Sequence, residues 1–395
     1  MKMSNIKKAI IKVQLGLYIW LIKHLCSVRP GTIVFQSKPD YSDNSKAIAD
    51  YLVANGYADK YKIHYLVSEK FGGNRNFANN KIIFFCLSNK LHLLKWCSCK
   101  TLLTSQYVFA SHGFKIPMCK GMKGQKYITL WHGCGYKDNA DKQSSRFFDL
   151  ALVPGPLFVE TKSRFWNTTS NYLLAKGYPR YDWLLHPSDN AKEFADYYRK
   201  TAKKIIIWMP TYRNSMAYGG YAEDVITQFP LMANHDDWKH LDEVCRKNNV
   251  ILLVKLHPAQ RSYDIKFVEF SNIRQITNED FLKADVQMYE FLAFTDGLIS
   301  DYSSVAVDYL LVNKPIAFAL DDFDIYNKMR GFVFDNPKIY MPGHHLYTVE
   351  DLCDYVTDVS VDNDKYADER KKMSNIAIYK SNNYCKEIVD SIGLG

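Results

Sequence analysis

Short apolar runs alternate with longer amphipathic segments along this chain. "GTIVFQS" (31–37) reads as a strand entering a polar loop, and "SKAIADYLVANG" (45–56) as a helix stopped by glycine. "YKIHYLVS" and "NKIIFFCLS" repeat the strand pattern, and "HLLKWCSCKTLLTS" predicts a helix and a strand. "GQKYITLWHG" (124–133) predicts a strand with a histidine at its carboxyl end, and "FDLALVPGPLFVETKSRFWN" repeats strand, turn and helix. A proline-containing connector and a charged helix over 191–204 interrupt the series. It restarts at "KKIIIWMPTYRN" and runs through "DDWKHLDEVCRKNN", "VILLVKLHP", "IRQIT", "GLIS" and "KPIAFAL" to a polar helical tail from Lys365. The pattern predicts two α/β halves, each around a mostly parallel sheet, with a hinge near 185–203.

This organisation also locates candidate chemistry, because ligands of open parallel sheets bind beyond the carboxyl ends of the strands. Four apolar runs end in polar groups: His132; Thr211 and Arg213; Lys255 and His257; Asp301, Ser303 and Ser304. Their convergence predicts a cleft between the halves. His132 precedes Gly133 and Gly135, where backbone can approach a ligand closely, although a loop carbonyl could equally hold the ring. Arg213 and Arg330 are natural bidentate anion ligands, with surface ion pairs as the alternative. At "DYSS" one serine hydroxyl is expected to cap a helix, leaving the other and the free amides for a phosphoryl group. Asp301 would orient that loop or accept from a donor hydroxyl or base. Neither GxGxxG after the first strand nor GxxxxGK[ST] occurs, and no ligand spacing calls for a structural metal.

Composition narrows the class further. With 395 residues and 47% apolar content the chain can build two or three domains with real cores. A net charge of +9 suits an anionic partner without specifying which. Nine scattered cysteines favour free thiols in a reducing compartment. The first 30 residues carry no acidic group, and the ten residues between Lys12 and Lys23 are too few to cross a bilayer. Wound as a helix, Lys8, Lys12, Gly16, Ile19 and Lys23 share a stripe, and Leu15, Tyr18, Trp20 and Ile22 lie mostly opposite. The expectation is a helix lying on an anionic membrane surface. Ordinary packing on the domain behind it, or a signal peptide lacking an evident cleavage site, are the alternatives.

"YSDNSKAIADYL", "LWHGCGYKD", "GYPRYD", "MPTYRN", "VKLHP", "TDGLISDYSSVAVDYLLVNKPIAFALDDFDIY" and "RGFVFD" occur in this order. Together they resemble the CDP-glycerol glycerophosphotransferase family of teichoic-acid and capsule synthesis, over roughly residues 31–360. The resemblance implies a GT-B-like fold: two Rossmann-like domains with parallel sheets and an interdomain active-site cleft. With a membrane-associating helix expected over 1–30 and a helical tail over 376–395, it implies an acceptor-binding domain over 31–190 and a CDP-polyol-binding domain over 191–375. A polyol phosphate would pass from CDP-glycerol or CDP-ribitol to a lipid-linked (polyprenyl diphosphate) glycan or polyol-phosphate acceptor, releasing CMP.

The resemblance also implies roles. His132 matches the family's base on the acceptor hydroxyl, and His257 the histidine beside the donor diphosphate. Arg213, Ser303, Ser304 and Arg330 match donor-contact positions, and Asp301 the acid of "DYSS". Thr211 and Lys255 join this donor-binding set by their strand-end positions. No tightly bound cofactor is expected, although Mg2+ could accompany the diphosphate. The implied location is the cytoplasmic face of a bacterial membrane, peripherally bound, with no nucleic-acid partner. Cys134 and Gly135 depart from the Thr–Pro pair that follows "HG" in many relatives. A nucleotide-sugar glycosyltransferase of the same two-domain form is the main rival, and a non-enzymatic anion-binding protein the lesser one.

Overall fold

The computed structural model describes residues 5–69, 71, 81–89, 93–114, 122–138, 148–211, 229–256 and 267–394. Two parallel sheets organise it. The first contains β1 (Arg29–Gln36), β2 (Lys62–Leu66), β3 (Ile82–Phe85), β4 (Ser105–Ala110), β5 (Lys126–Thr129), β6 (Leu150–Leu152) and β7 (Leu173–Leu174), in the order β3-β2-β1-β4-β5-β6-β7. The second contains β8 (Lys204–Trp208), β9 (Val250–Val254), β10 (Ile273–Gln275), β11 (Gly297–Ser300), β12 (Ile316–Ala319) and β13 (His344–Leu346), in the order β10-β9-β8-β11-β12-β13. All strand pairings in both sheets are parallel. These are two Rossmann-like lobes of a GT-B-like fold, with strand order reversing between β1 and β4 and again between β8 and β11.

Burial on both faces explains why the strand sequences read as continuous apolar runs. In β1, Ile33 and Phe35 face one apolar cluster while Val34 faces another. In β9, Ile251 and Leu253 face inward to the cluster shared by the lobes, and Val250, Leu252 and Val254 face the outer one. This alternation is the period-two geometry of a strand.

The chain returns to the first lobe at its end, where the Tyr379 amide donates to the Pro154 carbonyl. Helix Ala367–Ala377 already contacts helix Leu157–Phe165 of the first lobe. Helix Tyr384–Ile392 contacts Asp43–Ala54, and its first amides, Tyr384 and Cys385, donate to Asp182 at 2.6 and 2.9 Å. The Asp182 carboxylate thus satisfies free N–H groups at that helix start. The charged connector helix is shorter than expected, Asp189–Arg199, with Ser188 capping it.

At the other end, helix Asn5–Leu25 both packs and protrudes. Ile22 is fully buried, Tyr18 meets Trp96 edge-on at 5.1 Å, and Gln14 exchanges two hydrogen bonds with Leu94. Ile10, Val13, Leu17 and Trp20, spaced three, four and three residues apart, remain exposed, Val13 by 72%. One face of the helix thus packs on the domain behind it, and the outward apolar stripe differs from the one expected. Among the described residues no helix is long and apolar enough to cross a membrane.

Candidate active site

Where β5 ends, the backbone leaves ordinary conformational space. Trp131 has φ +54° and Gly133 φ +135°, so His132 sits between two residues in left-handed geometry. A tryptophan there is a conformational outlier, and such strain persists only where its surroundings enforce it. Asn44 provides part of that enforcement by donating to the carbonyls of Leu130 and Trp131. The loop lies directly on the second lobe. A methyl group placed on Gly133 would meet Ser304 Oγ at 2.2 Å, and one on Gly135 would meet the Ser304 backbone nitrogen at 2.8 Å. The carboxyl ends of β5 and β11 therefore meet, as the strand-end pattern in the sequence implied.

His132 is solvent-accessible at this junction and surrounded by other rings. Its imidazole stacks on His112 at 4.6 Å with 8° between planes, and touches Trp131 at 4.3 Å. Nδ1 lies 3.3 Å from the Ser111 carbonyl. A carbonyl only accepts, so Nδ1 carries the hydrogen and Nε2 keeps its lone pair. Desolvation first, then His112, Lys162 and Arg180, push its pKa down to about 3, with Asp43 opposing. The ring is thus a neutral acceptor at physiological pH.

Behind the loop a buried ionic cluster joins the lobes. Arg180 donates to Asp43 at 2.7 Å, to Asp308 at 2.6 Å and to the His132 carbonyl at 3.1 Å. Tyr181 and Tyr289 each donate to Asp308 at 2.5 Å. Burial opposes ionisation of Asp43, yet Arg180 and His112 hold its carboxyl below the usual range. Asp43 and Arg180 belong to the first lobe, Asp308 and Tyr289 to the second. None of Asp43, His112, Arg180 or Asp308 was singled out from the sequence, although Asp43, Arg180 and Asp308 lie inside the quoted motifs, in "YSDNSK", "GYPRYD" and "DYSSVAVDYL".

Lys162 is a further cation beside the loop. It lies over the rings of Trp131, Phe165 and Trp166 at 5.0, 4.5 and 5.6 Å, and burial lowers its pKa while Cys134 and Asp138 oppose that.

The second lobe's expected residues differ in their surroundings. Asp301 and Thr211 bond each other: the Thr211 amide donates to Asp301 at 2.7 Å and the Thr211 hydroxyl donates to the same carboxylate. Asp301 is fully buried and Thr211 nearly so. The pair braces the β8 and β11 loops, which is the loop-orienting alternative expected of Asp301. Ser303 and Ser304 do stand at the junction, half-buried. The capping role expected of one of them is absent, since Ser304 is the N-cap residue without a side-chain bond and helix Val305–Tyr309 is only five residues long. Packing against Gly133 occupies Ser304 instead.

Lys255 follows β9, is 5% exposed, and burial lowers its pKa to about 8 with Asp280 opposing. Arg330 is at the junction too. Its neighbour Phe332 bridges to Lys137, Val333 donates to the Tyr136 carbonyl, and the Asp138 amide donates to the Gly331 carbonyl at 3.1 Å. The "RGFVF" segment therefore runs beside the continuation of "WHGCG", with Gly331 at φ +75° making the turn. Arg213 and His257 lie outside the described residues.

Comparison with known proteins agrees with this architecture. The chain is 26% identical over 342 residues to the teichoic acid glycerol-phosphate primase of Bacillus subtilis (strain 168), covering 80% of this chain and 81% of that one. It is 25% identical to the teichoic acid ribitol-phosphate primase of Bacillus spizizenii (strain ATCC 23059 / NRRL B-14472 / W23), covering 86% of each. It is also 28% identical to a teichoic acid poly(glycerol phosphate) polymerase of Staphylococcus epidermidis (strain ATCC 35984 / DSM 28319 / BCRC 17069 / CCUG 31568 / BM 3577 / RP62A), covering 82% of this chain and 44% of that one. Among solved structures, the wall teichoic acid polymerase TagF superposes with a TM-score of 0.73 at 20% identity, covering 98% of this chain and 94% of that one, a likeness of fold. The sequence profile described as CDP-Glycerol:Poly(glycerophosphate) glycerophosphotransferase matches residues 18–393, nearly the whole chain. A strained histidine loop seated on a serine loop, at the facing ends of two Rossmann-like sheets, thus belongs to a member of the CDP-glycerol:poly(glycerophosphate) glycerophosphotransferase family.

Proposed function

We propose that this enzyme transfers a polyol phosphate from CDP-glycerol or CDP-ribitol to a lipid-linked acceptor in teichoic-acid or capsule synthesis, releasing CMP. The observation that carries the reading is His132, accessible where the strand ends of the two lobes meet, with Nδ1 turned to the Ser111 carbonyl and Nε2 left to accept. The acceptor hydroxyl gives its proton to Nε2 as its oxygen forms a bond to the β-phosphorus of the donor. The bond from that phosphorus to the bridging oxygen breaks, and CMP departs with the electron pair. Lys255 supplies positive charge for the diphosphate, with Arg213 and His257 as further donor ligands from the motif resemblance. Such positioned cations are what phosphoryl transfer requires of a protein.

A peripheral membrane location is part of the same proposal. It is supported by the outward stripe of Ile10, Val13, Leu17 and Trp20 and by the nearby Lys12 and Lys23, the combination expected of an interfacial helix.

The reaction test offers CDP-glycerol, CDP-ribitol and UDP-glucose separately with lipid-linked acceptor and identifies the nucleotide released. Polyol-phosphate transfer liberates CMP, whereas glycosyl transfer liberates a nucleoside diphosphate. Turnover of UDP-glucose with release of UDP, and none of either CDP-polyol, would overturn the reading in favour of the glycosyltransferase.

A further inference from the structure

The first lobe's strand order reverses between β1 and β4, and a parallel α/β sheet places ligands at such a point. Ser111 and His112 immediately follow β4 there. His112 is partly exposed, its side chain 30% accessible, and its Nδ1 lies 3.9 Å from Asp43 Oδ2. Its ring lies flat against that of His132. Rings stacked in this way present faces and not nitrogens to each other, so no proton passes directly between them. What they share is charge. Two unit charges about 4 Å apart repel by roughly 4 kcal/mol at the effective dielectric of a protein surface, enough to prevent both rings from being cationic together near neutral pH.

We propose that His112, oriented by Asp43, is a positioning residue that controls the proton on His132: the stacked pair holds one proton at most, so His112 must be neutral for His132 to take the proton of the acceptor hydroxyl. Asp43 compensates a cation on either ring. The other charged groups facing the pair are Lys38 and Arg180 beside His112, and Lys162 and Arg180 beside His132. Burial beside Asp43 and Asp308 keeps Arg180 a constant cation in this background. Asp43, already held ionised by Arg180, changes little between pH 4 and 8. The titrating partner is His112. On this view its protonation, ahead of that of His132, shuts off the acid side of the reaction.

The kinetic part of this inference rests on the proposed polyol-phosphate transfer, so the test has two readouts. The first is independent of the reaction: histidine ring signals of the whole protein are titrated by NMR between pH 3 and 8 in the parent, His112→Phe and His112→Gln. Phenylalanine keeps a stacked ring without a charge, and glutamine keeps polarity without a ring. The His132 midpoint should rise by about one pH unit or more in both variants, because a neighbouring positive charge has been removed. An unchanged midpoint in both would overturn the proposal. The second readout is the pH profile of kcat/KM with CDP-glycerol and lipid-linked acceptor. Its acid limb should be single-proton and set by His112 in the parent, and should move to lower pH, to the His132 midpoint, in His112→Gln. A limb of unchanged shape and position in that variant would equally overturn it. Failure of the parent to use either CDP-polyol would refute the assigned reaction alone and leave the titration result standing.

Discussion

Gly133→Ala probes the contact on which the site depends. The added methyl would lie 2.2 Å from Ser304 Oγ and 2.7 Å from Ser304 Cβ, both far inside van der Waals contact. Rotation of the serine hydroxyl removes only the first clash, because Cβ is fixed by the backbone. Overpacking of this kind costs typically about 1–3 kcal/mol. A side chain at φ +135° adds conformational strain of about 1–3 kcal/mol. The expected loss is therefore about 2–6 kcal/mol, a large part of the 5–15 kcal/mol typical of a folded protein. Urea unfolding of Gly133→Ala, Ser304→Gly and the double variant separates the two contributions. The double variant should recover the steric part, about 1–3 kcal/mol, and retain the strain. Turnover should fall in the single variant, as the loops carrying His132 and Ser303 are pushed apart. Stability within about 0.5 kcal/mol of the parent, or no recovery in the double variant, would refute the packing of these loops.

Arg180→Met should destabilise by about 3–5 kcal/mol, because fully buried Asp308 keeps its tyrosine donors but loses its cation; melting curves with and without Asp308→Asn check this, and the double variant should recover part of the loss. Donor affinity should decline as pH rises from 7 to 9, since Lys255 loses its proton around pH 8 and with it the charge that attracts the diphosphate; calorimetric titration with CDP should show the decline in the parent and none in Lys255→Met. Replacing Leu17 and Trp20 together with serine should reduce sedimentation with anionic vesicles by tenfold or more while leaving the melting temperature near the parent's, because both side chains are mostly outside the core.

The sheets were legible because strands buried on both faces read as unbroken apolar runs, as "KIIIW", "VILLV" and "GLIS" do. β4 was less so. The run "HLLKWCSCKTLLTS" was divided into helix and strand, whereas the strand begins only at Ser105, so the polar end "ASHG" and His112 went unread. Asp43, Arg180 and Asp308 were hidden for another reason. They come from three distant parts of the chain, and no local spacing reveals that they meet. Ser304 shows the reverse error, in which a motif suggested a helix cap although the helix is one short turn packed against a facing loop. Asp301 and Thr211 were correctly placed at strand ends, but sequence could not show that they bond each other.

The central claim is that His132 passes a proton during polyol-phosphate transfer, and the most direct measurement is the mass of lipid-linked product formed from CDP-glycerol by the parent and by His132→Asn. Each addition by the parent should carry one glycerol and one phosphorus, with one CMP released. His132→Asn should bind CDP-glycerol with nearly unchanged affinity and melt near the parent while forming product about 10²–10⁴ times more slowly, the usual contribution of a positioned proton-transfer group. Product lacking phosphorus, or a His132→Asn rate within a few-fold of the parent, would contradict the account.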